Sequence, residues 1–134
     1  MSQMAEESRG AVIDPDTAPI REMQLDRGFA IRLVDSGVGA HRIDWHINVL
    51  KADGVPGPYH YHSESENAYF VLDGLLRVRI DGVAHDVGPG MAVFIPPGVP
   101  HSASNIGGSE ARLLEIYSPP NPDFVWVEEE DATA

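Results

Sequence analysis

The sequence contains no cysteine. This absence excludes disulfide bonds, thiolate ligands for a metal and cysteine nucleophiles. Any metal ion that the chain binds must therefore be held by histidine, carboxylate or amide side chains.

Basic residues are scarce relative to acidic ones. The chain has 9 Lys and Arg residues against 21 Asp and Glu residues, which gives a formal net charge of -12. Nucleic-acid affinity rests largely on basic side chains that neutralise phosphates. The charge therefore predicts that neither DNA nor RNA is a partner, and we expect the acidic residues to form a solvated surface.

Long apolar stretches are also missing. The longest, such as Ala68–Leu72 and Met91–Ile95, are far shorter than the roughly 18 residues that a membrane-spanning helix needs. Residues 1–19 lack the apolar core of a signal peptide and carry acidic side chains instead. We therefore expect a cytoplasmic protein that has no membrane partner.

The length of 134 residues indicates one domain with one hydrophobic core. Residues 1–19 are polar, with Asp-Pro and Ala-Pro steps, and predict a flexible N-terminal arm. Residues 20–127 carry the apolar patterns of the folded domain. Residues 128–134 are predicted to form an acidic tail, in which like charges favour solvent.

What the chain does contain is a series of short apolar or alternating runs separated by glycine and proline. In Arg42–Leu50, polar and apolar residues alternate with the period of a strand that has one buried face. Asp81-Gly82 predicts a type I′ hairpin, because both central positions of that turn need positive φ. The pattern as a whole predicts an all-β sandwich or barrel. The predicted strands are Phe29–Val34, Ile43–Leu50, Ala68–Leu72, Leu75–Ile80, Ala84–Val87, Met91–Ile95 and Leu113–Tyr117.

His60 and His62 stand two residues apart in a segment that enters a strand. Side chains at this spacing share one face of a strand, so both imidazoles could bind one ion. By itself the pair is weak evidence, because two exposed histidines beside the Pro56-Gly57-Pro58 loop would have the same spacing. More specific evidence lies in the residues around the pair.

Two spaced motifs contain the histidines. They are Gly54-x5-His60-x-His62-x4-Asn67-x6-Gly74 and Gly90-x5-Pro96-x-Gly98-x2-His101-x3-Asn105. Together they resemble the two motifs of the cupin superfamily, and the second matches at every specified position. The resemblance implies a small single-domain cupin of the RmlC-like, cupin 2 type. The implied fold is an all-β barrel, the double-stranded β-helix or jelly roll.

The resemblance also implies a metal site. In the family, histidines from the two motifs converge inside the barrel, and the matching residues here are His60, His62 and His101. Three imidazole nitrogens with open coordination positions suit Fe, Mn, Ni, Cu or Zn better than Mg or Ca. We therefore expect one divalent transition metal, whose identity the sequence leaves open.

Asn67 stands where cupins usually place a metal-binding glutamate. A neutral amide is a weaker ligand than a carboxylate and leaves the site one negative charge short. The adjacent Glu66 could substitute for it, and Glu64 is a more remote alternative. Strand alternation counted back from Gly74 points Asn67 inward and Glu66 outward, so we favour Asn67 unless a bulge reverses the two.

No residue other than these ligands is compelling as an acid or a base. Tyr69 shares the face of Asn67, and His46 lies on an alternating strand, so both are weak candidates for a catalytic role. Four strand arginines are either solvated or, less often, anchors for an anion: Arg32, Arg77, Arg79 and Arg112.

The predicted function is that of a metal-dependent dioxygenase acting on a small metabolite. A chelating enolate or carboxylate substrate would bind directly to a dipositive ion that has three neutral ligands. Two alternatives stay open: a non-catalytic module that binds a small molecule or metal, and a sugar isomerase, epimerase or lyase. Because small cupins usually pair through edge strands, the resemblance also implies a homodimer, for which residues 12–34 are the expected docking segment.

Overall fold

The computed structural model describes residues 8–52 and 55–128. Residues 1–7 of the predicted arm, Gly54 of the first motif and residues 129–134 of the predicted tail lie outside the described residues. No helix in the described part of the chain combines the length and the apolar character needed to span a membrane.

The described residues form two antiparallel sheets. The larger sheet has the strand order β1-β2-β3-β10-β5-β8, and the smaller has the order β11-β4-β9-β6-β7. This is the jelly-roll barrel of the predicted all-β class. The strands are β1 (Ile20–Glu22), β2 (Gly28–Val34), β3 (Asp44–Leu50), β4 (His60–Tyr61), β5 (Glu66–Asp73), β6 (Leu76–Ile80), β7 (Val83–Val87), β8 (Ala92–Ile95), β9 (His101–Asn105), β10 (Ala111–Ser118) and β11 (Val125–Trp126). Short 3-10 turns lie at Gln24–Asp26 and Ser36–Val38.

Each predicted apolar run lies in one of these strands, with ends that differ by a few residues. The strands β1, β4, β9 and β11 were not predicted. Three of these are only two or three residues long, and β9 is a polar run, His-Ser-Ala-Ser-Asn, with no apolar alternation. His101 and Asn105 at its ends are both buried, and Asn105 Nδ2 donates to the backbone carbonyl oxygens of Lys51 and Ser109.

The predicted hairpin at Asp81-Gly82 is confirmed. Asp81 has a φ of 49° and Gly82 a φ of 85°, and Ile80 of β6 pairs with Val83 of β7 on either side of the turn. Positive φ at both positions is the requirement of a type I′ turn, which glycine meets without a steric cost.

The interior of the barrel is apolar in one part and polar in another. Val71, Leu76 and Val78 are completely buried in the apolar core. Along β10, the inward positions change from Leu113 to Glu115, so the polar part begins within one strand. The candidate site occupies this polar part.

Candidate metal centre and adjoining cavity

His60, His62 and His101 lie together inside the barrel, and we refer to them as the histidine triad. β4 pairs with β9 so that His60 lies directly opposite His101, and His62 follows at the end of β4. Their possible ligand atoms lie within 4.8 Å of one another. The three side chains are 9%, 2% and 1% exposed, respectively. The structure thus brings together the three histidines that the sequence analysis singled out.

The triad imidazoles share one pattern of hydrogen bonding. Each Nδ1 donates to a backbone carbonyl oxygen, which can only accept, so each Nε2 keeps a free lone pair. Such bonds to Nδ1 are the usual support of a metal-binding histidine. For His60, His62 and His101 the acceptors are the carbonyl oxygens of Pro58 at 2.8 Å, Asp123 at 2.7 Å and Val99 at 2.9 Å.

The triad is suited to a divalent cation. Burial lowers the pKa of His101 to about 4 and also lowers the pKa of His60, which favours the neutral imidazole that a metal requires. The Nε2 atoms of His62 and His101 are buried and have no hydrogen-bond partner among the described residues. A buried acceptor without a partner costs about 1–3 kcal/mol, and a bound cation would satisfy both atoms.

Asn67, rather than either nearby glutamate, faces the interior. Asn67 is 1% exposed, whereas Glu66 and Glu64 are exposed. The Asn67 Oδ1 is buried and, within the described chain, accepts no hydrogen bond. The orientation expected from strand alternation is therefore present, and the role of Asn67 as a metal ligand stays a prediction.

Glu115 on β10 is a buried residue that the sequence analysis missed. Its Oε1 accepts hydrogen bonds from His46 Nε2 at 2.9 Å and Asn48 Nδ2 at 2.7 Å, and its Oε2 accepts one from Asn67 Nδ2 at 3.0 Å. Burial would raise the pKa of Glu115, but these hydrogen bonds and the charge of His46 lower it to about 2. The only signal in the sequence was a single acidic residue inside the run Leu113–Tyr117.

His46 lies between two carboxylates. Its Nδ1 is 2.8 Å from Asp44 Oδ1, and its Nε2 is 2.9 Å from Glu115 Oε1. Burial would lower the pKa of His46, but hydrogen bonds to both carboxylates and their charges raise it to about 9. An imidazolium that donates from both nitrogens has no lone pair for taking a proton. The geometry therefore does not favour His46 as a catalytic base.

A cavity of about 410 Å³ adjoins the triad at His60. Tyr69, Tyr117, Glu115 and Arg27 also line it. Burial and the charge of Glu115 raise the pKa of both tyrosines well above the usual value, so both remain protonated phenols. Tyr69 thus lines the cavity, and its catalytic role stays a prediction.

Arg27 is a second buried residue of the cavity that the sequence analysis missed. The side chain is 9% exposed, and its Nη2 donates a 2.7 Å hydrogen bond to the carbonyl oxygen of Ala103. Arg27 lies in a loop between a 3-10 turn and β2, outside any strand pattern, so alternation could not have identified it.

The four strand arginines that the sequence suggested as anion anchors do not line the cavity. Each of them has a partner outside the cavity among the described residues. Arg32 pairs with Asp35 at 2.8 Å, Arg77 with Asp86 at 2.8 Å and Arg112 with Glu110 at 3.7 Å, while Arg79 lies 5.7 Å from the ring centroid of Tyr59.

Comparison with known proteins places these features in a family context. A family model described as the cupin domain matches residues 47–117, which is more than half of the chain. Protein SchB of Streptomyces halstedii is 40% identical over 79 residues, covering 56% of this chain and 57% of SchB. Polyketide synthase CurC of Streptomyces cyaneus is 34% identical over 73 residues, covering 53% of this chain and 47% of CurC. The matched part of the chain thus spans about half the length of these curated relatives.

Solved structures match over a larger part of the fold. The polyketide cyclase RemF from Streptomyces resistomycificus superposes with a TM-score of 0.78 at 24% identity, covering 91% of this chain and 88% of RemF. At this identity the likeness concerns the fold alone. Other matching proteins are named for dioxygenase, isomerase and oxidase activities, so the matches span several chemistries.

Proposed function

This chain belongs to the cupin family, and on that premise we propose that it is a metal-dependent enzyme that binds a small enolisable carbonyl compound as an anion. One observation carries the proposal: a residue of the triad, a buried guanidinium and two protonated phenols line the same cavity. These groups are His60, Arg27, Tyr69 and Tyr117.

The triad would hold the metal. Three Nε2 lone pairs suit a divalent ion such as Fe, Mn, Ni, Cu or Zn, and Asn67 Oδ1 is the proposed further ligand. When bound, such an ion supplies Lewis acidity that stabilises the enolate form of a chelating carbonyl compound. A ring of neutral ligands leaves the positive charge of the ion available to an anionic substrate.

Arg27 would bind a negatively charged substituent of the substrate. The guanidinium is buried in the cavity wall, and its charge acts on both His60 and Tyr69. A carboxylate is the group that a guanidinium binds best, through paired hydrogen bonds. This supports a substrate in which a carboxylate lies close to the enolisable carbonyl.

Tyr69 would donate a hydrogen bond to the enolate oxygen. Burial and the charge of Glu115 raise the pKa of its phenol well above the usual value, so the phenol stays protonated and is suited to donating a hydrogen bond rather than a proton. A hydrogen-bond donor that stabilises an enolate is what a redox-neutral isomerisation or cyclisation needs. The name of the 34% identical relative CurC, a polyketide synthase, supports this reaction class.

The dioxygenase predicted from the sequence is the second candidate. It is favoured by the neutral donors of the triad, which suit a ferrous ion with open positions, and by a 34% identical relative named 3-hydroxyanthranilate 3,4-dioxygenase. The substrate requirement, a chelating anion, is the same for both candidates. The cytoplasmic location and the absence of a nucleic-acid partner stay predictions from the sequence.

A pair of probe compounds tests the proposed substrate class. 2,4-Dioxopentanoate combines a 1,3-diketone with a carboxylate, and pentane-2,4-dione is its neutral counterpart. We expect Zn-loaded protein to bind the carboxylate compound about 10- to 100-fold more tightly, which corresponds to one charge-assisted hydrogen bond. Arg27→Gln should reduce this difference, because only the charge of the metal ion then favours the carboxylate, whereas Arg77→Gln, at an exposed arginine outside the cavity, should preserve it. Equal affinity of the wild type for the two compounds would overturn the proposal.

Oxygen consumption separates the two reaction classes. Fe-loaded protein that consumes oxygen in proportion to the probe compound is a dioxygenase. Conversion of a compound that carries several carbonyl groups by Zn-loaded protein in the absence of oxygen supports the redox-neutral class. In that case we expect Tyr69→Phe to lower kcat with a smaller change in KM, because the phenol acts after binding.

A further inference from the structure

The orientation of the Asn67 amide is determined by its neighbours. Its Nδ2 donates to Glu115 Oε2 at 3.0 Å and to the carbonyl oxygen of Ile116 at 3.1 Å. Both partners can only accept, so the NH2 group must face them. The Oδ1 atom, at the other end of the planar amide group, consequently points away from these two acceptors.

Asn67 Oδ1 is a buried acceptor that receives no hydrogen bond from the described residues. In the described residues, the buried side-chain acceptors that lack a hydrogen bond are Oδ1 of Asn67 and the Nε2 atoms of His62 and His101. The His62 ring packs 5.0 Å from the ring of Tyr117, which is the cross-strand partner of Asn67. The unsatisfied amide oxygen and the unsatisfied imidazoles therefore belong to one region of the barrel.

Glu115 is itself held in place from the opposite side. Oε1 is occupied by His46 and Asn48 on β3, which leaves Oε2 for Asn67 on β5. His46 is in turn held by Asp44. Hydrogen bonds thus run continuously from Asp44 through His46 and Glu115 to Asn67, across three adjacent strands of one sheet.

We propose that Glu115 is a positioning residue that turns Asn67 Oδ1 toward the metal and makes it a better ligand. An amide whose NH2 group donates to a carboxylate carries more negative charge on its oxygen, because the two ends of the amide are conjugated. Glu115 on β10 thereby supplies, through Asn67, part of the charge that the family's motif supplies directly from a glutamate. This inference rests on the proposed metal site and adds to it a residue outside both motifs.

The test is a double-mutant cycle on metal affinity, measured by competition of Co²⁺ binding against a chelator. Glu115→Gln should weaken Co²⁺ binding about 10- to 100-fold, the range for groups that orient a ligand, and should change the visible spectrum of bound Co²⁺. In the Asn67→Ala background, Glu115→Gln should weaken binding much less, because the residue that it orients is missing and only its charge near the triad is lost. Glu110→Gln, an exposed glutamate just before β10, is the matched control and should bind as the wild type does.

Each outcome bears on one proposal. Equal weakening by Glu115→Gln in both backgrounds would indicate that Glu115 acts through its charge or through the fold and not through Asn67, and would overturn the inference. Unchanged affinity and spectrum would do the same. Adding Asn67→Glu to Glu115→Gln should restore affinity, because a carboxylate at position 67 needs no orienting partner. Failure of the wild type itself to bind Co²⁺ would overturn the proposed metal site on which the inference rests.

Discussion

The imidazolium of His46 and the carboxylate of Glu115 form a buried ion pair between β3 and β10, with 2.9 Å between Nε2 and Oε1. Both side chains are less than a tenth exposed, so water screens the pair weakly. Asp44 holds the other imidazole nitrogen at 2.8 Å, and this explains why a buried histidine keeps its charge. Because the ion pair exists only while His46 is protonated, the stability of the barrel depends on pH.

We predict that the metal-free protein loses stability as pH rises from neutral to alkaline. Folding raises the pKa of His46 from 6.5 to about 9, so the folded chain holds a proton that the unfolded chain releases. The contribution of this proton to the free energy of unfolding is fully present below about pH 6.5, declines above that pH and is lost near pH 9. Its size is on the order of 3 kcal/mol.

Denaturant unfolding of wild type and His46→Gln, compared between about pH 6 and about pH 10, measures this contribution. The difference in unfolding free energy between the two proteins should shrink as pH rises, because glutamine does not titrate. A difference that stays constant over this range would contradict the prediction.

Metal binding should stabilise the fold through the triad. Zn²⁺ at about 100 times its dissociation constant should raise the free energy of unfolding by about 2.7 kcal/mol. His62→Ala should abolish this increase, because it removes one of the three clustered donors. His85→Ala is the control, since His85 is exposed on β7, and should keep the full increase. Retention of the Zn²⁺ effect in His62→Ala would exclude the triad as the site.

Gly57 should be required for the position of Arg27. A Cβ atom at residue 57 would lie 2.6 Å from the carbonyl oxygen of Ala103 and 2.9 Å from Arg27 Nη2, which is closer than atoms can pack. Gly57→Ala should therefore lower the free energy of unfolding by about 1–3 kcal/mol and displace the guanidinium. We also expect weaker binding of 2,4-dioxopentanoate, with little change for neutral pentane-2,4-dione.

Gly108→Ala is the matched control, because a Cβ atom at that position meets no atom within 4 Å. It should leave both stability and binding close to those of the wild type. If Gly57→Ala has the stability and the binding of the wild type, Arg27 is not held in the way that the structure indicates.

The outer face of the larger sheet supports the predicted homodimer. Phe94, Phe70 and Trp45 on this face are 56%, 43% and 38% exposed. Contiguous exposed apolar side chains of this kind mark interaction surfaces. Two rows of consecutive cross-strand partners on this face contain only apolar residues: Trp45, Ile116, Ala68 and Phe94, and Ile47, Leu114, Phe70 and Ala92.

We predict that light scattering after size exclusion gives the mass of two chains and that Phe94→Ser shifts the protein toward one chain. Val83→Ser, at an exposed valine of the smaller sheet, is the control and should remain a dimer. Ile20→Ser lies in the docking segment 12–34 that the sequence predicts, and it should also shift the mass toward one chain if that segment forms the interface. A wild type that runs as one chain would contradict the homodimer.

Much of the fold followed from the order of the residues along the chain. Strand alternation and hairpin turns depend on neighbours one to three positions away, so Arg42–Leu50 and Asp81-Gly82 predict a strand and a hairpin directly. The alternation did not predict which face of β3 is buried, because His46 and Asn48 point inward to the polar site while Trp45 is exposed. The same applies to His60 and His62, whose spacing puts them on one face. The inward orientation of Asn67 and the outward orientation of Glu66 followed from alternation as well.

The sequence by itself determined the all-β class and the inward position of Asn67 through local periodicity, and its resemblance to the cupin motifs implied the barrel and the triad histidines. Only the tertiary structure decided which polar groups meet. His46 and Glu115 are 69 residues apart, and Arg27 and Ala103 are 76 apart. Such pairs are set by the register between distant strands and by loop packing, which no local pattern of side chains encodes. The tertiary structure, and not the sequence pattern, therefore identified Glu115 as the carboxylate of the site and Arg27 as the cation of the cavity.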